Sequence, residues 1–208
     1  MILYYILIAV IVLYSIIAHE VAHGKVAEMM GDQSARMYGR ITLNPIPHID
    51  PIGTLLPVVL IVFGSPIIFG WAKPVPINPY NFRDYKKAMI YVSAAGIVTN
   101  LFMAWTLATI VKFLPLDSNY YVSVLSYALI FGVRINIVLA IFNLLPIPPL
   151  DGSKLFSMLL PSEYSQYIYK MEPYGMMIVF LFLMFPPTQT LLWGIIDFIY
   201  GLMMFKLF

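Results

Sequence analysis

The chain has 208 residues, of which 61% are hydrophobic and only 11% charged, with a formal net charge of +2. A water-soluble domain carries about 45–50% apolar and about 25% charged residues, so this composition is that of a polytopic membrane protein. The small net charge argues against nucleic acid as a partner, and the absence of cysteine excludes disulfides and thiolate chemistry.

Five apolar stretches read as helices: Ile2 to about Met30, Ala88 to Leu114, Tyr121 to Leu145, Gly175 to Phe185, and Thr188 to Phe205. The first three exceed the roughly 20 residues needed to cross a bilayer. The N-terminus has no positive leader region and no small-residue cleavage site, so residues 2–18 are expected to stay in the protein as helix. A sixth apolar stretch, 52–69, reads "IGTLLPVVLIVFGSPIIF". Its two prolines and two glycines argue against a straight spanning helix. The fold expected is all-α and polytopic, with about five transmembrane helices plus a re-entrant or extended, β-like element.

Within the first stretch stands His19-Glu20-Val21-Ala22-His23, an H-E-x-x-H pattern. Residues four apart share a helix face, so both imidazoles reach one metal ion. Glu20 beside them is placed to move a proton from a water that the metal has made acidic, which is the logic of a zinc hydrolase. The small residues Ala18, Ala22 and Gly24 leave room around the ion. The alternative is that these are buried polar groups bridging helices, but three ionisable groups in an apolar span are costly to retain without a use. Zinc normally takes three protein ligands. Two residues can supply the third: His48, in "PHIDP", and Asp151, in "NLLPIPPLDG".

H-E-V-A-H on a membrane helix, followed by Asn143-Leu-Leu-Pro-Ile-Pro-Pro-Leu-Asp151-Gly152, resembles the site-2 protease family of intramembrane zinc metalloproteases. "GRITLNP", "DPIGTLL", "GWAKPVPINPYNF" and "AAGIVTN" carry the resemblance over roughly residues 15–160. It is to the compact prokaryotic branch. The resemblance implies Zn2+ as cofactor, His19, His23 and Asp151 as its ligands, Glu20 as catalytic residue, and Asn143 as a second catalytic residue that polarises the scissile carbonyl. It further implies a single membrane-embedded protease domain, 1–208, with a catalytic core over about 1–160 and a C-terminal helical hairpin over about 171–208. Its partners are then a transmembrane protein substrate and the lipid bilayer. Two departures stand out. Ile97 replaces the proline of the family's AGPxxN pattern, and the chain starts almost directly on the zinc helix, without a preceding span. No PDZ or nucleotide-sensing domain is expected.

A shared metal also constrains topology. His19 and Asp151 meet only if the first and third long spans run parallel, with 88–114 crossing between them and 52–69 not crossing. Ten of the twelve Lys and Arg residues then fall on one side, all but Lys112 and Arg134. By the positive-inside rule that side is cytoplasmic. The protein is accordingly expected in the cell membrane as a multi-pass protein, with zinc inside the bilayer nearer the cytoplasm and 52–69 re-entrant.

A substrate helix hides its own amides, so it must be held extended to be cut. "GWAKPVPINP" suits this, because its prolines keep it out of helix and its free backbone groups leave an edge. Gly70, Trp71, Ala72, Lys73, Pro74, Val75, Pro76 and Ile77 are therefore the expected substrate-binding strand, against the plainer reading of a surface linker. Arg134 and Asp197 form either an intramembrane ion pair or, for Arg134, a contact with a polar cavity. Asn100 and the small patch Ser93-Ala94-Ala95-Gly96 are expected to serve helix packing. Two other function classes compete. A metal transporter tends to show repeated halves, which this chain lacks, and does not need Glu20. An inactive scaffold does not need His, Glu, His, Asn and Asp all retained.

Overall fold

The computed structural model describes residues 2–53, 55, 59, 63, 72–115 and 119–205. Three long helices build the body: α1 (Ile2–Met29), then, after the single-turn α2 (Ser34–Met37), α3 (Tyr85–Lys112) and α4 (Tyr120–Asn143). With 28, 28 and 24 residues they exceed the bilayer's hydrocarbon thickness, roughly 20 residues of helix. They are the continuous helices long and apolar enough to cross a membrane among the described residues. Their starts follow local rules. Asp84 caps α3 by accepting from the Lys87 N–H at 3.1 Å, and Asn119 caps α4 by accepting from Val122 at 3.0 Å.

The C-terminal part holds α5 (Asp151–Leu159), α6 (Ser162–Met171), α7 (Gly175–Met184) and α8 (Pro186–Phe205). Here the structure differs from the expected pair of spans. The stretch at 175–185 yields a helix of only 10 residues, about half a bilayer in length. Prolines 186 and 187 bar its continuation. The chain turns by 82° between Glu163–Met184 and Pro186–Met204, so the two together count as one bent span at most, giving three or four spans among the described residues.

α3 is the central helix and packs on both α1 and α4. Its buried positions include Ala88, Val92, Gly96, Asn100, Ala104 and Ala108, a repeat of four that lines one face with mostly small side chains. In lipid the apolar effect does not drive helices together, so close van der Waals packing over small residues does. One core cluster joins Ala104 and Ala108 to Val133, Ile137 and Ile196, which brings α8 onto α4. Polar bonds add to this. The Asn136 amide donates to Ser15 Oγ at 2.8 Å, tying α4 to α1. Asn100 is fully buried, but its amide has no hydrogen-bond partner among the described residues, so the structure shows no bond across helices from it.

The ion pair between Arg134 and Asp197 forms, with Nη2 to Oδ1 at 2.6 Å. The guanidinium also lies over the rings of Trp193 and Tyr200, at 5.5 and 5.9 Å. Most of the 52–69 stretch falls outside the described residues, as do Gly70 and Trp71. Residues 72–78 carry no regular secondary structure, and no strand occurs among the described residues.

Candidate metal centre

His19 and His23 lie one turn apart in the second half of α1, both buried. Asp151 opens α5, directly after the proline-rich turn that ends α4. Gly152 makes this junction possible, since a Cβ there would lie 2.5 Å from the Leu145 carbonyl oxygen and closer still to that of Leu144. The "DG" pair thus lets α5 start hard against the end of α4.

The three side chains converge. His19 Nε2 and His23 Nε2 are 3.0 Å apart, and each faces Asp151 Oδ2, at 3.1 and 3.0 Å. One ligand atom from each residue falls within 4.8 Å of the others. The second ring nitrogen of His23 fixes its tautomer. Nδ1 lies 2.6 Å from the Val92 carbonyl, which can only accept, so Nδ1 carries the proton and the Nε2 lone pair points at the cluster. A lone pair and a carboxylate oxygen at 3.0 Å repel unless a cation or a proton sits among them. Two imidazoles and one carboxylate are a donor set that suits zinc, with a fourth position open. The residues present therefore fit a zinc ion.

Glu20 is not part of this cluster. Its Oε2 accepts from the Val75 backbone N–H at 2.9 Å, which brings the segment around Val75 onto the site. A cavity of about 320 Å³ opens here, lined among others by His19, Glu20, Val75, Ile77, Asn143 and Asp151. The Asn143 amide donates to the Leu139 carbonyl at 3.0 Å, one turn back in its own helix, which leaves its second N–H for the cavity. Of the expected substrate strand, Pro74, Val75 and Ile77 reach the cavity wall. His48, the other histidine weighed as third ligand, lies elsewhere. It is buried, its Nε2–H donates to the Thr42 carbonyl at 2.9 Å, and its own carbonyl accepts from Lys73 N–H.

The chain is 36% identical over 201 residues to YwhC of Bacillus subtilis, named as a candidate zinc metalloprotease, covering 93% of this chain and 86% of the relative. The profile of peptidase family M50 matches residues 115–186, which include Asn143 and Asp151.

The chain belongs to peptidase family M50.

This M50 member is a zinc metallopeptidase of the site-2 protease type and a multi-pass membrane protein. Rip2 of Mycolicibacterium smegmatis, also named as a candidate zinc metalloprotease, is 28% identical over 177 residues, covering 84% of this chain and 65% of that protein. MJ0611 of Methanocaldococcus jannaschii, named likewise, is 34% identical over 92 residues, 43% of this chain and 45% of its own. No solved structure matches the chain.

Two features of the M50 site were not found from sequence. One is the bond between Glu20 and Val75, for which no local signal exists. The other is Gly96 of α3, against which both imidazoles pack. The small patch at 93–96 was legible as a packing surface, but not what it packs against.

Proposed function

We propose that this protein is an intramembrane protease that cuts a peptide bond within or near a transmembrane segment of a membrane-protein substrate, as in regulated intramembrane proteolysis. His19, His23 and Asp151 would hold the zinc ion. Zinc bound there supplies a Lewis acid that makes water nucleophilic near neutral pH and polarises a carbonyl. Glu20 acts as the proton carrier: its carboxylate takes a proton from the attacking water and returns it to the leaving amine. The carboxylate is held for this by the Val75 N–H at 2.9 Å. The free N–H of Asn143 donates to the oxygen of the scissile carbonyl as negative charge grows on it.

The substrate unwinds and lies along residues 70–77 as an added strand, its scissile bond between Glu20 and Asn143. This brings the substrate to the cavity wall formed by Pro74, Val75 and Ile77. The charge distribution supports a cytoplasmic side for the loops flanking the site, and so a zinc ion nearer that side of the cell membrane.

The observation that carries this reading is the convergence of His19, His23 and Asp151 on one point beside a carboxylate that is not a ligand. The test is Glu20→Gln in detergent-purified protein. The variant keeps zinc at one equivalent and loses cleavage of a single-span peptide. Full activity in it would remove Glu20 from the chemistry.

A further inference from the structure

Two charged side chains outside the metal centre are buried and turned to one strip of backbone. Arg40 is 5% exposed and Asp32 is 0% exposed. They do not serve each other. Arg40 Nη2 donates to the carbonyls of Lys73 and Pro74, at 2.5 and 3.2 Å. Asp32 Oδ2 accepts from the Asn78 N–H at 2.7 Å, and Oδ1 accepts from the Asn81 amide at 2.8 Å. Ser34 completes Asp32 through its N–H and hydroxyl, at 3.1 and 2.6 Å. Gly31 makes the turn that aims Asp32, at a φ of +114° that other residues rarely adopt.

Burying a charge is costly unless it is paired or fully hydrogen-bonded. The use of this pair is visible in what lies between. A segment with prolines at 74 and 76 has few amides, and it has no strand beside it among the described residues, so side chains supply the bonds a neighbouring strand would make. The Lys73 N–H goes to the His48 carbonyl and the Val75 N–H to Glu20. The Val75 carbonyl and the Ile77 N–H have no partner among the described residues, and both residues line the cavity. A carbonyl and an N–H two residues apart are the two groups an incoming strand needs.

We propose that Arg40 and Asp32 are positioning residues that clamp the two ends of residues 73–78 and so set the register in which a substrate strand is received beside Glu20. The proposal rests on the strand-addition reading above, and it names the residues that act through that segment rather than on the substrate. Neither residue touches the metal ligands, so both are separable from zinc binding.

The chain contains no cysteine, so a pair introduced at 77 and 154, which line the same cavity, reports the segment's position through a bifunctional thiol cross-linker. The full-length pair variant is compared with and without Arg40→Ala, Arg40→Lys and Asp32→Ala. Zinc content is measured alongside, and kinetics are taken on a single-span peptide carrying a central Gly-Pro break. Loss of a charge-assisted bond predicts that Arg40→Ala and Asp32→Ala raise KM about tenfold or more, with kcat changed little. Zinc stays at one equivalent, cross-linking falls, and Arg40→Lys restores most of both. Unchanged cross-linking in both alanine variants overturns the clamp whatever the kinetics. Loss of zinc in both also overturns it, because the residues would then support the fold as a whole. Lower cross-linking with an unmoved KM upholds the clamp and refutes strand addition as the substrate's binding mode.

Discussion

Gly96 lies against the metal-ligand pair so closely that a Cβ on it would sit 2.5 Å from His19 Nδ1 and 2.5 Å from His23 Nε2. The backbone of α3 is thus the wall on which both imidazoles rest, and the Val92 carbonyl, one turn earlier, fixes the His23 tautomer. Gly96→Ala should push the rings off the geometry they share with Asp151. Disturbing groups that orient metal ligands typically costs about 10–100-fold in affinity. Zinc titration against a competing chelator reads this directly, and wild-type affinity would show that the helices yield at this point.

Asp151→Ala should empty the metal site, whereas His48→Ala should leave zinc at one equivalent. The reason is that Asp151 Oδ2 faces both imidazoles, while His48 is spent on the Thr42 carbonyl. Elemental analysis of the purified variants decides the matter. An emptied site in His48→Ala would mean that the third ligand has been misassigned.

Asn143→Ala should retain zinc and lower kcat by about 10²–10³-fold, the usual effect of removing one donor to a developing oxyanion. Its alternative role is the bond to Leu139 within α4, whose loss is a matter of local helix stability. Turnover at the wild-type rate, with an unchanged melting temperature, would leave Asn143 with neither role.

Asp32 supplies a pH prediction. Burial pushes its carboxyl up, but bonds from Ser34, Asn78 and Asn81 outweigh this and hold it below the usual carboxylate range. A folded-state value below the unfolded one, about 3.9, means stability that is complete above that pH and lost as pH falls through the folded value. Thermal melts of wild type and Asp32→Asn should therefore differ by a constant amount from pH 7 to about pH 5, and start to converge only below about pH 4. A gap that persists unchanged at the acidic end would show that Asp32 acts by shape and not by charge.

Much of this protein was legible in one dimension. An apolar composition and runs longer than a bilayer require spanning helices whatever their neighbours, so α1, α3 and α4 were readable from length alone. The face shared by His19 and His23 is a property of helical spacing, and Glu20 comes with it. Asp151 follows from its motif, and the bare chemistry allows His48 as an alternative. What lay outside the pattern involves partners far apart in the chain: Glu20 with Val75, Arg40 with Lys73, Asp32 with Asn78, and Gly96 with His19. The Arg134–Asp197 pair was one of two readings open in the sequence, and which of them holds depends on how α8 leans on α4 after the bend at Pro186. Helical period and turn chemistry are set within a few residues, and so the sequence by itself determined the spans and the two imidazoles. Which segment closes over them is decided by how helices pack and where a buried charge finds backbone to bind, and only the tertiary structure brings those groups within 3 Å of each other.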